Sequence, residues 1–243
     1  MAGSKQMDIQ AGQSKRTGKS RRAAHAVVGV LLGVALVLVM ATALIEEAPH
    51  EYLGIALVVL TIAHVVQKRR WFAGLRRGRW SAVRVLQALA IAGLIACLVG
   101  QVVSAVVLSR FALGFLPALP GASWARSVHM LCAYWMFVCG FAHMGLQFKT
   151  MLARMGFAKS AKPAVVWLLR VVWLAVAVWG AWMFVRLDIA SYLLARVQFA
   201  SAEFSAPLLV RVGHYSAIAA LIVGVFHYLR CALGYYRKSK HTH

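Results

Sequence analysis

Acidic residues are the scarcest feature of this chain. Its 243 residues include 6 Asp and Glu against 27 Lys and Arg. None of the six sits in the middle of an apolar run, which argues against the intramembrane carboxylates of many proton-coupled transporters. Cysteine is scarce too. Cys97, Cys132, Cys139 and Cys231 lie in or beside apolar runs, and none forms CxxC or CxxCH. That excludes a disulfide framework, a zinc ribbon and covalent c-type haem attachment. The cysteines read as small buried apolar residues. There is no P-loop and no GxGxxG, and no polar segment is long enough for a nicotinamide or flavin domain.

Long apolar runs are what the chain does have. Hydrophobic residues make up 62% of it. Runs near twenty residues alternate with short basic segments, the pattern of a helical membrane protein. Most of the formal charge of +21 lies in those segments. It reads as membrane topology and not as a nucleic-acid surface.

Six spans are expected, at 25–44, 50–67, 83–108, 125–147, 164–185 and 208–230, forming an all-α integral membrane bundle of three hairpins within residues 25–232. Residues 1–24 and 233–243 read as basic tails, the first of them disordered. Lys68, Arg69, Arg70, Arg76, Arg77, Arg79 and Arg84 follow the second span, and Lys149, Arg154, Lys159 and Lys162 the fourth. The opposite connections hold Glu46, Glu47, Glu51, Asp188 and Glu203. By the positive-inside rule both termini are cytoplasmic. The second, fourth and sixth spans then run from outside to inside. The connection at 186–207, RLDIASYLLARVQFASAEFSAP, reads as an interfacial linker. Asp188 would cap a short helix there, with Leu193, Leu194, Val197 and Phe199 on its apolar side.

Histidine placement carries the chemistry. His50 and His64 are fourteen residues apart on the second span, and His129 and His143 are fourteen apart on the fourth. On a helix this spacing spans about 21 Å and returns to within about 40° of the same face. Ionisable groups at membrane depth mark functional sites. Neutral imidazole is an axial ligand for haem iron, and two of them on facing helices give a six-coordinate electron-transfer centre. Pairing by depth joins His50 with His129 at the outer face and His64 with His143 at the inner face. Gly54, Gly140 and Gly145 either admit a flat macrocycle or serve close helix packing. Arg126 and Arg211 could neutralise propionates. A zinc hydrolase fits worse, because it gathers three ligands around one metal.

His214 and His227 are thirteen residues apart, about 140° round an ideal helix. They stand as a substitute ligand pair or as supporting groups beside the ligands, with His227 either bonding a haem propionate or a quinone oxygen or serving as a core histidine. His25, His241 and His243 need no ligand role.

Three segments carry a resemblance: HEYLGIALVVLTIAHVVQKRRWF (50–72), HMLCAYWMFVCGFAHMGLQF (129–148) and VQFASAEFSAPLLVRVGHYSAIAALIVGVFHYL (197–229). The paired histidine helices resemble the di-haem cytochrome b arrangement. More closely, the chain resembles the bacterial flavinylation-associated cytochrome family, with His214 standing where that family often has an acidic residue. The resemblance implies a b-type cytochrome with two non-covalent haem b groups in the bacterial cytoplasmic membrane. It would move electrons between a quinone pool or cytoplasmic donor and an extracytosolic flavoprotein or other acceptor. A quinone site would make it part of an oxidoreductase. Two alternatives stay open: a ferric-reductase-like domain using the sixth span as a ligand helix, and a haem-free scaffold or transporter.

Overall fold

The computed structural model describes residues 24–42, 47–74, 80–117, 119–155, 162–197 and 206–239. Regular structure among them is wholly helical: α1 (Ala24–Thr42), α2 (Glu47–Ala73), α3 (Ala82–Leu108), α4 (Ala122–Met155), α5 (Pro163–Arg186), α6 (Ile189–Leu193) and α7 (Leu208–Ser239). All except α6 are long and apolar enough to cross a membrane, so the chain is a multi-pass membrane protein. Helices satisfy their own backbone hydrogen bonds, which hydrocarbon cannot do for them. All six expected spans fall on these helices. The N-terminal tail expected as disordered lies, up to residue 23, outside the described residues. At the other end α7 stays helical to Ser239, past the expected start of the tail at 233.

Local sequence sets the helix ends. Ser81 caps α3, its hydroxyl accepting from the Arg84 N–H at 3.3 Å. Pro163 opens α5, where its missing N–H would have had no helical partner in any case. α4 runs on to Met155, beyond the expected end at 147. Lys149 and Arg154 sit on this extension, where long stems let a charge reach polar surroundings.

α4 is the axis of the bundle. Cys132 and Cys139 lie against Gly100 and Gly93 of α3, so these two helices are antiparallel and closely packed. The cysteines are free and half-buried there, as expected of small packing residues. Gly140 meets Leu36 of α1, and Gly33 of α1 meets Met144, which makes α1 antiparallel to α4 as well. Gly145 lies against the backbone of Val223 on α7, and Tyr134 is hydrogen-bonded to Tyr215, so α4 and α7 run parallel. A Cβ at Gly145 would run into the Val223 carbonyl. Gly140 and Gly145 therefore serve close helix packing. Gly180 does the same for α5 against Ala217 of α7. The Trp173 indole N–H reaches the Ala220 carbonyl at 3.1 Å.

α2 is the exception. No extended stretch of its backbone comes within 8 Å, Cα to Cα, of α3–α7. Only 6% of its apolar window is buried, against 33% for α4. Helices in direct contact run about 8–10 Å apart, axis to axis, and bring many of their Cα atoms closer together than that. α2 stands off from α3–α7, and the His50 and Glu51 side chains reach across to α4 and to the turn after α3.

The short helix expected after α5 is present as α6, but Asp188 does not cap it. Asp188 lies in the left-handed region at φ 49° and its side chain makes no capping bond. A capping residue needs extended backbone to aim its oxygen at the helix N–H groups. Packing on the bundle fixes α6 instead. Tyr192 stacks on Tyr134 with ring centres 4.4 Å apart, and the Trp135 indole donates to the Leu193 carbonyl at 2.9 Å. Ile189 and Tyr192 form its buried face, Leu193 and Val197 pack partly on the core, and Leu194 is exposed. Phe199 lies outside the described residues.

Candidate functional site

His50 is in the first turn of α2 and His129 in the second turn of α4. Their ring centres are 6.1 Å apart, with ring planes at 66°. Two imidazoles bound on opposite sides of one metal, at about 2 Å each, have ring centres about 6 Å apart. The His50–His129 separation equals that distance, and it also lies in the range of an edge-to-face ring contact.

Hydrogen bonds orient both rings. His50 Nδ1 lies 3.1 Å from the Val39 carbonyl of α1. A carbonyl only accepts, so Nδ1 carries the proton and Nε2 keeps its lone pair. His129 Nδ1 lies 3.2 Å from the Ser104 hydroxyl of α3. That hydroxyl gives its own proton to the Gly100 and Gln101 carbonyls, at 2.6 and 3.1 Å. It therefore accepts from His129 Nδ1–H, and Nε2 is again the free ligand atom. Gln101 donates to the His129 carbonyl at 2.8 Å and holds the backbone. Metal-binding histidines characteristically use their second nitrogen in this way.

The turn beside His50 is tied down by Glu51. Its carboxylate accepts from the Ser109 hydroxyl at 2.7 Å and from the backbone N–H groups of Arg110, Phe111 and Ala112 at 2.8, 3.1 and 2.8 Å. Gly54 follows His50 by four residues, so both share a helix face. A Cβ at Gly54 would meet nothing within 4 Å. Of the three glycines singled out in the sequence, it alone is not used for packing.

His64 and His143 lie at the other end of the same two helices, within electrostatic reach of each other. Their Nδ1 atoms are buried without hydrogen-bond partners. His25 of α1 also reaches His64 electrostatically, a neighbour that spacing along one helix could not reveal. Lys68 and Arg154 lie at this end too.

His214 and His227 are not brought to either pair. α7 faces α4 through Tyr134 and Gly145, about 140–160° round the helix from His129. His214 lies beside Trp179 of α5, with ring centres 6.2 Å apart. His227 packs on Phe148 and Tyr228, with its Nε2 3.9 Å from Cys231 Sγ. Arg211 is buried on α7, on the far side of α4 from the His50–His129 pair. Arg126 lies three residues before His129 on α4 itself.

Among the described residues, no group of three or more His, Cys, Asp or Glu side chains is placed to hold a metal ion, as a zinc site would require. Haem iron asks less of the protein, since the porphyrin supplies four ligands and the chain two. The histidine pairs, the engaged Nδ1 atoms at the first pair and the bare helix face at Gly54 all fit that requirement. Ser104 and Gln101 were missed from sequence. The available signal was two polar residues buried in an otherwise apolar span.

No family model, curated protein or solved structure matches this chain. The case for what the site binds rests on the residues themselves.

Proposed function

We propose that the protein is a di-haem b-type cytochrome of the bacterial cytoplasmic membrane that carries electrons from one face to the other. One observation carries the reading: the His50 and His129 ring centres lie 6.1 Å apart with both Nδ1 atoms engaged, which leaves the Nε2 lone pair of each ring free for a metal. Haem held by two imidazoles is a one-electron carrier. His50 and His129 hold the iron at one end of α2 and α4, and His64 and His143 hold a second at the other. The two pairs lie about 21 Å apart along the helices, which nearly spans the hydrocarbon core.

Charge asymmetry orients the chain, with both termini cytoplasmic and the His50–His129 pair outermost. An extracytosolic flavoprotein is the partner implied by the resemblance to flavinylation-associated cytochromes, and a quinone pool or cytoplasmic donor serves the inner end. The rings of His214 and His227 sit against aromatic neighbours, and the proposed ligand set is drawn from α2 and α4 alone.

A reduced-minus-oxidised spectrum of purified protein tests this. Protein from haem-replete cells gives b-type bands. If the histidines only tie helices together, a folded protein without those bands is the result.

A further inference from the structure

Arg211 is a buried charge in an unfavourable place. It lies in the first turn of α7, at the His129 end of the bundle, and is only 7% exposed. Tyr215, Ile218 and Ile222 continue its face of the helix, and all three form or pack on the core. The Arg211 Nε is sealed from solvent and has no hydrogen-bond partner among the described residues. A helical side chain leans back toward the N-terminus of its own helix, so the guanidinium lies over the turn that opens at Leu208.

That turn has the wrong sign for a cation. The first N–H groups of a helix have no helical acceptor and form the positive end of its dipole. The N–H groups of Val210 and Arg211 donate to the Pro207 carbonyl, at 3.0 and 3.2 Å, whereas Leu208 and Leu209 come before any helical acceptor. No acidic residue stands in the first turn, and Glu51 is committed to the turn after α3. α4 separates α7 from the His50–His129 pair, so a haem there does not supply the anion. A buried guanidinium beside free backbone N–H groups calls for an anion against it. A planar fork of donors next to a helix N-terminus suits a phosphate group.

We propose that Arg211 and the first turn of α7 form a binding site for a phosphate group. The guanidinium and the N–H groups of Leu208 and Leu209 donate to its oxygens. The partly exposed Trp135 indole, bonded to the Leu193 carbonyl of α6, marks the nearby membrane interface, where phospholipid headgroups present phosphate. A headgroup and a free phosphate from the aqueous side offer the same oxygens. The site does not depend on the haems.

The test uses the full chain, purified in a neutral detergent and stripped of lipid. Short-chain phosphatidylglycerol and inorganic phosphate are the separate probes, at ionic strength matched with chloride. Phosphatidylglycerol should raise the melting temperature saturably, by about 2–4 °C or more. A rise with phosphatidylglycerol alone identifies a lipid headgroup, and a rise with phosphate as well identifies a site open to the free anion. Arg211→Gln should weaken the response about tenfold or more. Arg211→Met should be at least as stable as the parent without either probe, because it removes a buried charge that lacks a counterion. No saturable rise in the parent with either probe overturns the site, as does an equal rise in Arg211→Gln. An Arg211→Met protein less stable than the parent without probes also overturns it, because the guanidinium then has its partner within the chain. Loss of haem from a folded Arg211→Met protein overturns it as well, and assigns the guanidinium to a propionate.

Discussion

Ser104 fixes the tautomer of His129. Its hydroxyl proton is committed to the carbonyls of its own helix, so the bond at 3.2 Å runs from imidazole to serine and leaves Nε2 as the free ligand atom. The residue is fully buried at the α3–α4 contact, and a hydroxyl there is useful only if something needs it. Ser104→Ala should weaken haem retention at the His50–His129 site about 10–100-fold, the usual cost of removing such a supporting bond. The other site should stay loaded. Haem content after extensive detergent washing measures this, and Ser104→Thr should restore it.

Unlike Gly145, which lies against α7, Gly54 lies on an open face of α2. No atom of the chain lies within 4 Å of a Cβ placed there, so Gly54→Leu should fold and insert as the parent does. It should nevertheless lose haem at the neighbouring site, because the added bulk projects from the face that carries His50. Gly145→Leu should behave in the opposite manner. It drives a side chain into the α7 backbone and should lower thermal stability first, by about 1–3 kcal/mol or more. Unchanged haem content in a folded Gly54→Leu protein would place that glycine against lipid.

Glu51 joins the start of α2 to the turn after α3 by four hydrogen bonds. Bonds to a charged acceptor are stronger than neutral ones, so Glu51→Ala should cost about 2 kcal/mol of stability. Residues 109–112 should become open to limited proteolysis. Because His50 is the adjacent residue, haem at that end should also exchange faster.

The two ends should differ in midpoint potential. Lys68 and Arg154 place positive charge at the His64–His143 end, and no carbonyl takes the Nδ1 protons there. Cations favour the reduced iron, while hydrogen bonds to Nδ1–H make imidazole a stronger donor to the oxidised iron. Redox titration of His129→Ala, which retains only the His64–His143 site, should give the higher of the two wild-type potentials. His143→Ala should give the lower.

Much of this arrangement was legible in the sequence, for reasons specific to membranes. Hydropathy marks each span because lipid penalises every exposed polar group, and a fourteen-residue spacing keeps two histidines on one face of a helix. The bonds that orient the histidines were not legible. His129 depends on Ser104 twenty-five residues earlier, and His50 on a backbone carbonyl of α1 that no side-chain pattern reports. Glu51 read as a charge marking one side of the membrane, whereas its carboxylate organises a turn more than fifty residues away. His25 seemed solitary along its own span, yet packing of α1 on α4 carries it to His64. Asp188 misled because residue type suggested a cap while the left-handed backbone turned its side chain away from that role.

The most direct measurement is haem stoichiometry by reduced-minus-oxidised spectroscopy on the parent protein and on His129→Ala. The account expects b-type bands in both, with the variant holding about half the haem of the parent because only the His64–His143 pair remains. Equal loss of both haems from a folded variant, or a folded parent without b-type bands, would contradict it.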